Sequence, residues 1–129
     1  MAIANPYDRY QQQSVMTASP GELTLMLYNG CIKFIKQAKL AIDEKDVEKA
    51  GNSLIRAQDI IQELMVTLDP QYEISKNLYA LYDYMYQRLI DANISKDKAP
   101  LDEVLELLAD LRDTWVEVIK INRKEAYSG

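Results

Sequence analysis

The most informative residue type in this chain is a missing one. Its 129 residues contain no histidine. That excludes phosphotransfer on imidazole, haem held by histidine, Ser-His-Asp catalysis and the Glu-x-x-His di-iron bundle. The single cysteine, Cys31, forms no intramolecular disulfide and no multi-cysteine zinc site. It stands mid-helix among Leu27, Tyr28, Phe34 and Ile35, with Lys33 and Lys36 off its side, so it reads as a small buried apolar residue rather than a nucleophile. Asp43, Glu44, Asp46 and Glu48 gather at one helix junction. Paired acids can hydrolyse bonds or hold metal, but here they read as a solvated, dipole-matched boundary, and no Asp-x-Asp-x-Asp-Gly loop accompanies them. Gly21, Gly30, Gly51 and Gly129 are isolated and form no phosphate loop. The expectation is no catalytic residue, no metal ligand, no cofactor, and no enzyme.

What exceeds structural need is apolar and aromatic surface. Tyr79, Tyr82, Tyr86 and Ile90 recur at i, i+3, i+7 and i+11 on one helix. Tyrosines bordering a core bury the ring and leave the hydroxyl wet. The same residues are enriched where one chain docks on another. Three further features favour docking. Tyr28 and Ile32 widen the apolar arc of the first helix beyond the ~100° that one core requires. Ile55 and Val66 lie off the stripe of the second helix. Near the N-terminus, Ile3, Tyr7 and Tyr10 give an apolar triplet at i, i+4 and i+7.

The elements follow from periodicity and punctuation. Residues 1–18 read as a mobile N-terminal arm, with Asn5-Pro6 able to start a short helix that is stable only when docked. Residues 19–126 read as the bundle. Ser19-Pro20-Gly21-Glu22 forms a capping box before a helix to about Glu44. Asp46 caps a second, about Val47 to Leu68, stopped by Asp69-Pro70. A third runs from about Tyr72 to Ile94, with Ile74, Leu78, Leu81, Met85, Leu89 and Ala92 as its core stripe. A fourth runs from about Leu101 to Glu125, with Val104, Leu108, Leu111, Trp115 and Ile119 on its inner face. Short links imply an all-α, antiparallel up-down four-helix bundle. The net charge of −5, spread without basic clusters, argues against nucleic acid as a partner. No apolar run is long enough to span a membrane and no signal peptide is apparent. One cysteine suits a reducing cytoplasm.

On several segments the chain resembles the flagellar secretion chaperone family, FliS. They are Val15-Met16-Thr17-Ala18-Ser19-Pro20-Gly21-Glu22-Leu23, Met26-Leu27-Tyr28-Asn29-Gly30-Cys31-Ile32, Leu68-Asp69, Asn77 to Met85, Arg88 to Asn93, and Val104 to Leu108 with Trp115. The resemblance implies a cytoplasmic four-helix chaperone without enzymatic activity. It implies binding of the disordered C-terminal segment of flagellin, prevention of premature polymerisation, and delivery to the type III export gate component FlhA. It places Tyr28, Ile32, Tyr79, Tyr82, Tyr86 and Ile90 against the client, and Ile3, Tyr7 and Tyr10 in an N-terminal cap over a groove. A homodimer in the absence of client is a further expectation, since an unoccupied groove can drive self-pairing. The stretch Gln71-Tyr72-Glu73 departs from the glycine-rich turn that family members often carry there.

Overall fold

The computed structural model describes residues 20–128. They form four helices, α1 (Pro20–Asp43), α2 (Val47–Val66), α3 (Ile74–Ser95) and α4 (Ala99–Ser128). Each helix packs on its neighbours in a ring, α1 on α2, α2 on α3, α3 on α4 and α4 on α1. The contacts run antiparallel. Lys98 meets Asp43 at one end of the α1–α4 seam, and Trp115 and Arg123 meet Gly21 and Glu22 at the other. Among the described residues the bundle predicted from periodicity is therefore present.

Local chemistry sets the boundaries. Asp46 caps α2 by accepting the Lys49 amide at 3.1 Å. Thr67 closes the same helix, its hydroxyl donating to the Leu64 carbonyl at 2.7 Å. The third helix starts at Ile74, later than expected, because Asp69 organises a turn first. Its carboxylate accepts the Gln71 amide and its carbonyl accepts the Ser75 hydroxyl. Lys45 and Lys96 take left-handed conformations, φ 60° and 55°, to end α1 and α3.

The core is uneven along the bundle axis. In one half, Ala38, Ala41, Ala50, Leu54, Leu89, Ala92, Leu101 and Val104 are essentially sealed from solvent. Small alanines let the helices close tightly there. In the other half, Leu23, Leu27, Leu68, Leu78, Leu81, Leu111, Trp115 and Ile119 are only half-buried. Ile74, expected in the core stripe, is 62 % exposed. It is the first residue of α3 and projects past the last buried layer.

Candidate functional site

Between the two halves lies a layer built on two tyrosines. Tyr28 of α1 and Tyr82 of α3 reach across the core, and their hydroxyls share a 2.5 Å hydrogen bond. Their rings are tilted by 54°. Each is 2 % exposed. Burial pushes both phenols above their ordinary value. Cys31, beside them in sequence, is fully buried, donates to the Ala57 carbonyl, and is pushed up to about 12 by burial. It is therefore no nucleophile at neutral pH.

This changes the predicted tyrosine stripe. Tyr28, Ile32 and Tyr82 are core residues rather than exposed contacts, because one hydroxyl donates to the other inside the core and neither is left without a partner. Tyr86 and Ile90 are half-buried on the flank of α3, and the Tyr86 hydroxyl accepts from the Gln62 side chain at 3.3 Å. Tyr79 stands out at 54 % exposed. Period alone does not separate these positions, since residues three and four apart on a helix differ by a fraction of a turn around its axis. The expected cap residues Ile3, Tyr7 and Tyr10 lie outside the described residues.

Tyr79 is the centre of an apolar surface between α2 and α3. It lines two adjoining depressions. One, about 810 Å³, includes Ile60, Met65 and Val66. The other, about 400 Å³, includes Met65, Leu68 and Pro70. Tyr79 and Met65 form the wall they share. Val66 is 79 % exposed, and Ile55 on α2, Tyr72 in the α2–α3 turn and Ile74 at the start of α3 are exposed as well. Exposed apolar side chains are thus gathered at the walls of these two depressions. Ile55 and Val66, which periodicity left off the core stripe, are indeed outside. Asp59 and Glu63 border the groove, and Lys76 closes one end.

A different arrangement occupies the α3–α4 seam. Tyr84 donates to Glu103 at 2.7 Å and Arg88 donates to the same oxygen at 2.9 Å. The Tyr84 hydrogen bond, then that of Arg88, holds the Glu103 carboxyl below its ordinary value. Tyr84 is the one exposed tyrosine of α3 that the stripe omitted, and the seam explains it as a polar lock. No cluster of three metal-ligating side chains occurs among the described residues. No helix there is long and apolar enough to cross a membrane.

Comparison with known proteins agrees with this architecture. Residues 3–122 match the family model described as flagellar protein FliS. The flagellar secretion chaperone FliS of Bacillus subtilis is 54 % identical over 127 residues, covering 98 % of this chain and 96 % of that one. The protein of the same name from Salmonella typhimurium is 36 % identical over 110 residues, covering 83 % and 82 %. A solved structure titled as a flagellar chaperone from bacteria shares the fold, with a TM-score of 0.75 and 22 % identity, over 88 % of this chain and 94 % of that one. The chain belongs to the FliS family of flagellar secretion chaperones, a family of carriers in flagellar export and not of enzymes.

Proposed function

We propose that this protein binds the disordered C-terminal segment of flagellin in the cytoplasm, holds it out of premature polymerisation, and hands it to the export gate component FlhA. The observation that carries the reading is the exposed apolar surface around Tyr79 in the α2–α3 seam. An amphipathic client helix finds there the apolar seat that helix-in-groove recognition needs. A disordered client gives up ordering entropy on binding, so the contact must be broad and apolar, and that same loss keeps release feasible. Direct contact falls to Tyr79, Tyr86 and Ile90, while Tyr28, Ile32 and Tyr82 form the layer that supports them. Residues 1–18, through Ile3, Tyr7 and Tyr10, cap the groove until the client displaces them, which tethering makes competitive.

The test is calorimetric titration with a flagellin C-terminal peptide. Saturable binding with a negative heat-capacity change is expected. Tyr79→Asp should weaken it by at least tenfold while the helical spectrum persists. Absence of saturable binding, or an unchanged affinity in Tyr79→Asp, overturns the reading. Proteolysis at residues 1–18 should accelerate when the peptide is added.

A further inference from the structure

The carboxylates of the bundle fall into two groups. On the seams that α4 makes with α1 and α3, Asp43, Asp102 and Glu103 each pair with a base, respectively Lys98, Lys39 and Arg88. The acids of the α2–α3 face have no such partners. Asp59 and Glu63 stand one turn apart on α2 and line the larger depression beside Tyr79, and Asp83 follows Tyr79 by one turn on α3. All three are exposed, and among the described residues none of them forms an ion pair. Residues 57–87 contain five acids, these three with Asp69 and Glu73, and one base, Lys76. That stretch therefore holds −4 of the chain's net charge of −5. Lys76 lines the smaller depression and not the larger. The arginines that bound the stretch face other seams. Arg56 stands 5.4 Å from the Phe34 ring of α1, and Arg88 pairs with Glu103 of α4. The larger depression is thus an apolar floor of Ile60, Met65, Val66 and Tyr79 with an acidic rim.

We infer that the α2–α3 groove selects a basic amphipathic helix, supplied by the carried segment of the client. The apolar floor takes the stripe of an incoming helix, residues at i, i+3 or i+4, and i+7. Lysines and arginines beside that stripe lay their methylene stems on the floor and bring their charged heads to the rim. The exposed face of Tyr79 adds a second attraction for a cation. Asp59 and Glu63, like charges one turn apart, repel each other until a bound cation screens them. Between Ile55 and Val66 the groove runs for ~17 Å, about three turns of a bound helix. Other occupants lack the matching charge. A second copy of this chain brings the same net negative charge and, in a two-fold pair, sets the acidic rim against itself. Phosphates of nucleic acid or of an anionic membrane are repelled. Residues 1–19 carry Asp8 and Arg9 and no other charged side chain, so as a cap they offer apolar contact without counter-charge. A basic client therefore holds an electrostatic advantage over the cap, in steering as well as in contact. The identity of the occupant rests on the client reading above, whereas the preference for a cationic helix does not.

The experiment uses the full chain and three end-capped peptides that share one leucine stripe at helical spacing, with the flanking positions filled by Lys, Gln or Glu. Amide resonances are followed during titration at low salt. The Lys peptide should shift Met65, Val66 and Tyr79 and bind roughly tenfold more tightly than the Gln peptide, with the Glu peptide weaker again. Added salt should remove most of that difference. Asp59→Asn combined with Glu63→Gln should weaken the Lys peptide roughly fivefold and leave the Gln peptide unchanged. Glu106→Gln combined with Asp110→Asn, on the exposed face of α4, should keep the preference, which separates the rim from net charge. Equal affinity for the Lys and Gln peptides, a preference that survives loss of the rim acids, or shifts gathered elsewhere overturns the inference. So do concentration-dependent shifts of Met65, Val66 and Tyr79 that block the Lys peptide, since they give the groove to a second copy. Titration of the rim variant with a flagellin C-terminal peptide separates the two readings. If wild-type protein takes the Lys peptide but no flagellin segment, the client reading fails and the selectivity of the groove stands. If flagellin binds equally tightly to wild type and the rim variant, the assignment of a basic helix to the client fails alone.

Discussion

The two halves of this bundle are made of the same helices yet serve opposite ends. The half around Ala38, Ala41, Ala50, Leu54, Ala92 and Val104 is sealed and built from small or branched residues. The half around Leu23, Leu68, Leu78, Leu111 and Trp115 seals Leu64 but leaves these five large side chains half-buried. Stability belongs to the first and adaptable apolar surface to the second. The lesson is that a flagellar export chaperone need not be packed alike throughout. A tight half can hold four helices in register while the other half keeps surface to lend.

The widest gap between the halves should appear on truncating leucines. Leu54→Ala removes a fully buried side chain and should lower unfolding free energy by about 2–5 kcal/mol. Leu78→Ala, half-buried in the other half, should cost about half as much, since less area leaves water on folding. Urea denaturation of both variants measures the gap. Equal losses would mean that the halves pack alike.

The boundary layer gives the next effect. Tyr82→Phe leaves the Tyr28 hydroxyl buried without its partner and should cost about 1–3 kcal/mol. Adding Tyr28→Phe removes the orphan, so the double variant should recover most of that loss. A sum of the single losses instead would show that each hydroxyl has another partner. The layer also predicts alkaline behaviour. Burial raises the Cys31 thiol from 9.0 to about 12 and raises both phenols above 10.0. The folded state thus keeps protons that the unfolded chain releases. Its stability is whole below pH ~9 and falls as pH rises, at a slope of about 1.4 kcal/mol per unit per titrating group. Cys31→Ala should flatten the decline between pH 9 and 10, where the thiol titrates ahead of the phenols.

Legibility from sequence followed the same division. Helix number, order and approximate bounds are written in capping and periodicity, and Asp46, Pro20 and Asp69-Pro70 mark them plainly. The exposed pair Ile55 and Val66 was visible as a departure from the core stripe. The fates of Tyr79 and Tyr82 were not separable, because their placement depends on how α3 rotates against α1. Tyr82 turns inward to a hydroxyl partner 54 residues away, which local spacing does not show. Tyr84 went unread because its partner, Glu103, comes from another helix. The Phe34–Arg56 contact was hidden for the same reason.

Trp115 tests whether the looser half opens on its own. Its indole donates to the Gly21 carbonyl at 2.7 Å, tying α4 to the first turn of α1. Trp115→Phe should cost about 0.5–1.5 kcal/mol. Amide exchange should quicken over residues 22–27 and stay unchanged over 38–41, the pattern of a local opening. Uniform acceleration would instead make the bundle one cooperative unit and remove the distinction between its halves.

The smallest effect concerns the turns that close the sealed half. Lys45 and Lys96 both hold the left-handed conformation, which a side chain disfavours and glycine does not. Among the described residues Lys45 makes no side-chain hydrogen bond or ion pair, while the Lys96 ammonium donates to both oxygens of Asn93. Lys45→Gly should therefore raise stability by roughly 0.5 kcal/mol after the entropy of glycine is counted. Lys96→Gly gains the same relief and forfeits the Asn93 contacts, so it should be neutral or destabilising. Thermal melts of the two variants in parallel decide it. A stabilised Lys96→Gly would show that the ammonium contacts contribute nothing and that backbone strain alone governs both turns.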